Sequence, residues 1–127
     1  MIKRRKRERF GTRQETRIRC PAHLQWIRGF PCLVADPGYI DGPCDSRIEA
    51  AHVRKGTDGA LGIKPSDCWV NPLCKKHHDE QHDIGEPAFE LKYSVNLKDC
   101  AAHFWQLDTL HRRRYEKRIR ERKEQTA

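Results

Sequence analysis

The stretch PLCKKHHDEQH, residues 72–82, crowds one cysteine, three histidines and three acidic or amide side chains into eleven residues. Such a stretch cannot fold as ordinary core; it folds around whatever its donors bind. On a helix, residues four apart share a face, while adjacent residues are turned by about 100°. His78 and His82 therefore point together, whereas His77 points with Cys74 across the first turn. Two donor sets facing different ways predict two metal sites. Cys74-x2-His77 has the local spacing of half a tetrahedral zinc site. The natural other half is Cys32 and Cys44, which flank a loop made turn-rich by Pro37, Gly38, Gly42 and Pro43. Alone, the Cys-x2-His pair reads equally well as a buried thiol beside a surface histidine, and His78 and His82 as solvent-facing imidazoles.

A chain of 127 residues fits a single domain with a modest core, which a structural ion would help to stabilise because metal-binding energy becomes folding energy. The net charge of +8 is carried by the ends. Residues 1–19 hold nine Lys/Arg against two Glu, residues 20–110 hold nine against thirteen acids, and residues 111–127 hold eight against three. Runs such as Lys3-Arg4-Arg5-Lys6-Arg7 and Arg112-Arg113-Arg114 suit segments that track phosphates and release counterions, so a nucleic acid is the expected polyanion. A solvated tail or a contact with an acidic protein is the blander reading. Six cysteines without an apolar leader predict reduced thiols in a cytosol, and no apolar run approaches the roughly 20 residues a membrane helix needs.

The chain divides into a basic N-terminal arm (1–19), a central domain (20–95) and a C-terminal helix with a basic tail (96–127). A short helix is expected after Pro21, stopped by Gly29 and Pro31. Arg47 to Val53 reads as a strand, GTDGALGIKP as a turn, and Cys68 to Asn71 as a second strand leading through Pro72 into a helix that ends near Gly85. A brief helix follows Pro87. Asn96 is a good cap for a longer one, with Leu97, Ala101, Phe104, Leu107 and Tyr115 near one face and pairs such as Glu116 with Arg120 beyond. Cys20-x2-His23 and Cys100-x2-His103 have ligand-like spacing for a second zinc, although a buried thiol explains Cys100 more simply. Trp26, Trp69 and Trp105 are expected to anchor the core.

His52 lies near the end of the first strand and shares a face with Arg54, whereas Glu49, three residues away, points to the other face. A histidine and an arginine directed at a pair of metal-binding histidines form a phosphodiester-cleaving set. The imidazole takes a proton from water, the arginine holds phosphate and the metal polarises it.

EAAHVRKGTDGALGIKPSD followed by WVNPLCKKHHDEQH, with A-H-V-R, K-P-S-D and P-L-C-x2-H-H-x3-H in that order, resembles the HNH endonucleases, most closely the phage recombination nucleases of the Ref type. The resemblance covers roughly residues 20–95. It implies an α+β fold: a small zinc-stabilised ββα-metal domain with flanking helices and basic terminal arms. It makes His52 the general base, makes His78 and His82 ligands of a catalytic divalent ion (Mg2+ or Mn2+, or else Zn2+), and makes Cys32, Cys44, Cys74 and His77 a structural zinc site. Asp67 is a third ligand of the catalytic ion, a turn cap, or a stabiliser of the KPSD loop. Many HNH enzymes carry Asp or His just before the base, where this chain has Ala51, and Asn71 lies near but not at the family's asparagine. The implied function is metal-dependent DNA endonuclease, leaving a 5′-phosphate and a 3′-hydroxyl, in phage or prophage DNA processing in the host cytosol, with preference for DNA form over sequence and a recombinase filament as a further partner. A non-catalytic zinc-stabilised nucleic-acid-binding module and an RNA-binding accessory protein are the competing readings. Oligomeric state is left open.

Overall fold

The structure, a computed structural model, describes residues 17–35, 44 and 47–126. The expected basic run of the N-terminal arm and the turn-rich part of the loop between Cys32 and Cys44 lie outside the described residues. The elements are α1 (Pro21–Ile27), β1 (Ile48–His52), β2 (Val70–Cys74), α2 (Lys75–Ile84), α3 (Glu86–Tyr93), α4 (Leu97–Leu107) and α5 (Thr109–Thr126). The fold is α+β, with five helices around a two-stranded antiparallel sheet among the described residues.

The second strand is placed two residues later than the sequence suggests, running through Pro72 to Cys74. Register explains how a proline is accommodated. Val53 N–H donates to Trp69 O and Lys75 N–H to Arg47 O, so residues 47, 49, 51 and 53 hold the hydrogen-bonded positions. Pro72 faces Ala50 at a position between them, where no N–H is asked of it. Its carbonyl, directed away from β1, accepts from Leu33 N–H at 2.7 Å. All five residues of β2 are buried, because α1, α2 and α4 all pack on this strand.

The central core joins Cys32, Val34, Ala51, Val53, Leu73, Cys74, Phe89, Leu97 and Ala101. Full burial of a side chain such as Leu73, Phe89 or Leu97 stabilises by roughly 1.5–3 kcal/mol. A second cluster stacks Trp26 and Phe30 beside α1 on Phe104 of α4. The three tryptophans are each half-buried; Trp69 packs against the central core, with the Lys98 ammonium 5.6 Å from its ring centroid.

Asn96 caps α4 as expected, accepting from Asp99 N–H at 2.9 Å. The single long C-terminal helix expected from the apolar spacing is instead two. Asp108 is the reason. Its buried carboxylate accepts from His111 N–H, capping α5, and meets His23 Nδ1 at 2.7 Å across the domain. Leu107, which the spacing placed on the packed face, is 52% exposed. Along α5, Arg112 pairs with Glu116 and Lys117 with Glu121.

Candidate metal centre and adjoining cleft

Cys74 ends β2 and caps α2, its sulfur accepting from His77 N–H at 3.4 Å. This turn brings the His77 ring back over Cys74, where Cys32 and Cys44 approach from the preceding loop. His77 Nδ1 lies 3.1 Å from the Cys74 sulfur and 3.5 Å from those of Cys32 and Cys44. The four ligand atoms all lie within 4.8 Å of one another. Zinc bonds of about 2.3 Å to sulfur and 2.0–2.1 Å to nitrogen at tetrahedral angles require N···S separations of about 3.5 Å. The cluster is close enough to hold a metal ion, and its donor chemistry fits one. Burial raises the Cys32 thiol, while burial and then the neighbouring Cys32 and Cys74 sulfurs push Cys44 up to about 12. Converging sulfurs resist ionising beside one another until a cation compensates them.

His78 and His82 leave α2 on the other side, as helical spacing divides them, with ring centroids 4.9 Å apart. They wall a cleft of about 580 Å³ together with His52, Arg54, Lys55 and Lys64. His52 and the pair thus line one open space. Two further contacts fix the geometry. The His52 C=O points away from β2 and accepts from Gln81 Nε2 at 3.2 Å, which ties α2 to the end of β1. The Glu86 carboxylate accepts from Arg54 and Lys55 N–H, both at 2.8 Å, and pins the end of β1 to α3. The Arg54 guanidinium donates to Ala60 O at 3.2 Å. Gly59 lies beneath it; a Cβ there would meet Pro65 Cγ at 2.8 Å, so the loop admits only glycine without shifting.

Each cleft histidine flanking the strand is held by a carboxylate. His52 Nε2 lies 3.0 Å from Asp67 Oδ1, and His78 Nδ1 lies 2.7 Å from Glu49 Oε1. Glu49 was expected on the far face from His52. Strand alternation does assign it there, and its carboxylate nevertheless meets His78 of α2, a helix that packs on both strands. The other Asp67 oxygen accepts from Cys20 N–H at 2.8 Å, and Arg19 Nη1 stands 3.5 Å from Oδ1. Burial alone would raise this carboxyl; the His52 hydrogen bond, the Cys20 N–H and the charges of His52 and Arg19 outweigh it and hold it below the usual carboxylate range. Among the described residues, no set of three or more donors besides the Cys3His cluster comes together.

The residues leading into α1 form a strap over this loop. Ile18 N–H donates to Ser66 Oγ, Asp67 N–H to Ile18 O, and the Arg19 guanidinium to Pro65 and Lys64 carbonyls. The remaining spacings do not converge on an ion: Cys20 is buried, His23 is held by Asp108, and His103 is exposed. Asn71 is buried and donates to Leu97 O at 2.9 Å, tying β2 to α4. Glu86 and Gln81 were missed by sequence reasoning, since their partners are backbone groups that no motif encodes.

Neither a family model nor a solved structure matches the chain. A protein of Escherichia coli K12, named "Uncharacterized protein YdfU", is 33% identical to it over 76 residues, which are 60% of this chain and 19% of that protein. The chain thus spans about a fifth of that relative's length. Among the described residues, no helix is long and apolar enough to cross a membrane.

Proposed function

We propose that the protein is an HNH-type, metal-dependent DNA endonuclease whose Cys3His cluster holds a structural zinc. The observation that carries this reading is the shared basic cleft, which His52, hydrogen-bonded to Asp67, lines together with His78, His82, Arg54, Lys55 and Lys64. With Nε2 committed to Asp67, His52 presents Nδ1 as the lone pair that takes a proton from the attacking water. Arg54, Lys55 and Lys64 hold the phosphodiester in place. Glu49 accepts a hydrogen bond from His78 Nδ1–H, which fixes the tautomer and leaves Nε2 free for a metal. His78 and His82 would hold the divalent ion, which when bound stabilises charge on the scissile phosphate and the leaving oxygen. Two protein donors, both imidazole nitrogens, would leave the remaining ligand positions of such an ion to water and phosphate oxygens.

The same donor count, with Ala51 fully buried where many HNH enzymes carry a ligand, favours a second reading: a zinc-stabilised DNA-binding module without cleavage. Incubating supercoiled plasmid with the zinc-loaded protein and magnesium or manganese separates the two. The enzyme nicks in a metal-dependent way that His52→Ala abolishes; binding without nicking supports the module, and equal nicking by wild type and variant overturns the assignment of His52.

A further inference from the structure

Helix α5 carries a cationic face that the fold leaves unused. Arg112 is occupied: it pairs with Glu116 and donates to the carbonyls of Trp105 and Gln106. Arg118 lies over the Tyr115 ring. Arg113 and Arg114, by contrast, are exposed and have no hydrogen-bond or ion-pair partner among the described residues. With Lys117, Thr109 and Leu110 they line a shallow, open surface depression of about 370 Å³. Positions 109, 110, 113, 114 and 117 follow helical spacing, so these cations share one face. Lys117 has only a solvent-exposed contact of 3.8 Å with Glu121, a pair weak enough to be exchanged for another anion.

The composition of the helix selects the partner. After Leu110 only Tyr115 and Ile119 are apolar in α5, so it offers no stripe of the kind that docks into a protein groove. Guanidiniums with free N–H forks on one open face match phosphate oxygens, which they bind in bidentate fashion. The helix packs on α1 and α4, and none of its residues lines the cleft that holds His52.

We propose that Arg113, Arg114 and Lys117 form a second docking surface, which grips the backbone of duplex DNA away from the cleft and independently of base sequence. The proposal rests on the nucleic-acid reading above and adds the face that supplies affinity. Neutralising Z phosphates gives a salt slope of about −0.9Z in log affinity against log salt, so three such contacts account for about 2.7 of the slope.

The test uses the full-length, zinc-loaded His52→Ala protein, which removes cutting, and fluorescence anisotropy of a 24-base-pair duplex across a salt series without added magnesium. Adding Arg113→Ala, Arg114→Ala and Lys117→Ala should flatten the slope by 2 to 3 for duplexes of unrelated sequence. A charge-matched control, Arg120→Ala, Arg122→Ala and Lys123→Ala, should flatten it by less than half as much. Alanine keeps both variants helical, which circular dichroism checks. An unchanged slope, no binding by the parent, or an equal change in the control overturns the proposal. So does polyglutamate displacing the duplex at equal charge, which would make the partner an acidic polypeptide. The nuclease reading fails separately: a protein that shows the expected slopes but never nicks retains the docking face and loses the cleavage mechanism.

Discussion

Asp67→Asn isolates the contact on which the orientation of His52 depends. The carboxylate side chain is 3% exposed and receives Cys20 N–H at 2.8 Å and His52 Nε2 at 3.0 Å, on different oxygens. An amide retains one acceptor and turns an NH2 group toward the other donor. One charge-assisted hydrogen bond is lost and a buried donor is left facing a donor, which costs about 1.5–3 kcal/mol. Arg19, 33% exposed, can turn to water and adds little. With roughly 4–8 °C per kcal/mol for a small domain, the melting temperature should fall by on the order of 10 °C. The pH dependence carries the sign. The folded carboxyl is depressed, so its stabilisation is fully present above the unfolded value near 3.9 and is lost as pH falls through the folded value. Urea denaturation of wild type and variant at pH 7, 5 and 3 should therefore show a gap that narrows below about 4. Asp58, also depressed because its Ser66 hydrogen bonds and Arg17 outweigh the upward push of burial, loses stability in both proteins and cancels from the difference. A gap below about 0.5 kcal/mol at pH 7, or one that persists undiminished at pH 3, would refute the argument.

Two further outcomes follow from the buried polar groups. Elemental analysis should find one tightly held zinc per chain, and Cys74→Ala or chelation should unfold the domain, since structural zinc contributes on the order of 10 kcal/mol; because raised thiols must lose protons to bind, zinc affinity should drop steeply on acidification, and a cooperative fold that survives metal removal would contradict this. Asp108→Ala should destabilise by about 2–4 kcal/mol, combining the lost cap of α5 with a buried His23 whose Nδ1 loses its acceptor; equal urea midpoints for variant and wild type would show that the helix break does not depend on that carboxylate.

What the sequence reveals and what it hides differ in physical kind. The separation of Cys74 and His77 from His78 and His82 was legible because helical periodicity is local. The same holds for the Asn96 cap and for the stop at Gly85, whose φ of +88° suits glycine. The end of β2 was misplaced because proline reads as a breaker, and its tolerance depends on which edge of the strand faces β1. The break at Asp108 was invisible because the apolar spacing of α4 runs on through Leu107, while the carboxylate that interrupts it answers to His23, 85 residues away.

The candidate site repeats this division. His52, His78 and His82 could be named from spacing, and Asp67 as a candidate ligand or turn residue, but the contacts by which Asp67 and Glu49 hold two of those rings could not. Strand alternation put Glu49 and His52 on opposite faces of β1, yet both meet α2: the Glu49 carboxylate stands 2.7 Å from His78 Nδ1, and the His52 carbonyl accepts from Gln81 Nε2. Alternation is a local rule and fixes only which way a side chain leaves the strand. Where a helix packs against both strands of a two-stranded sheet, the long-range placement of that helix decides which of those side chains it meets, and no spacing within β1 encodes it.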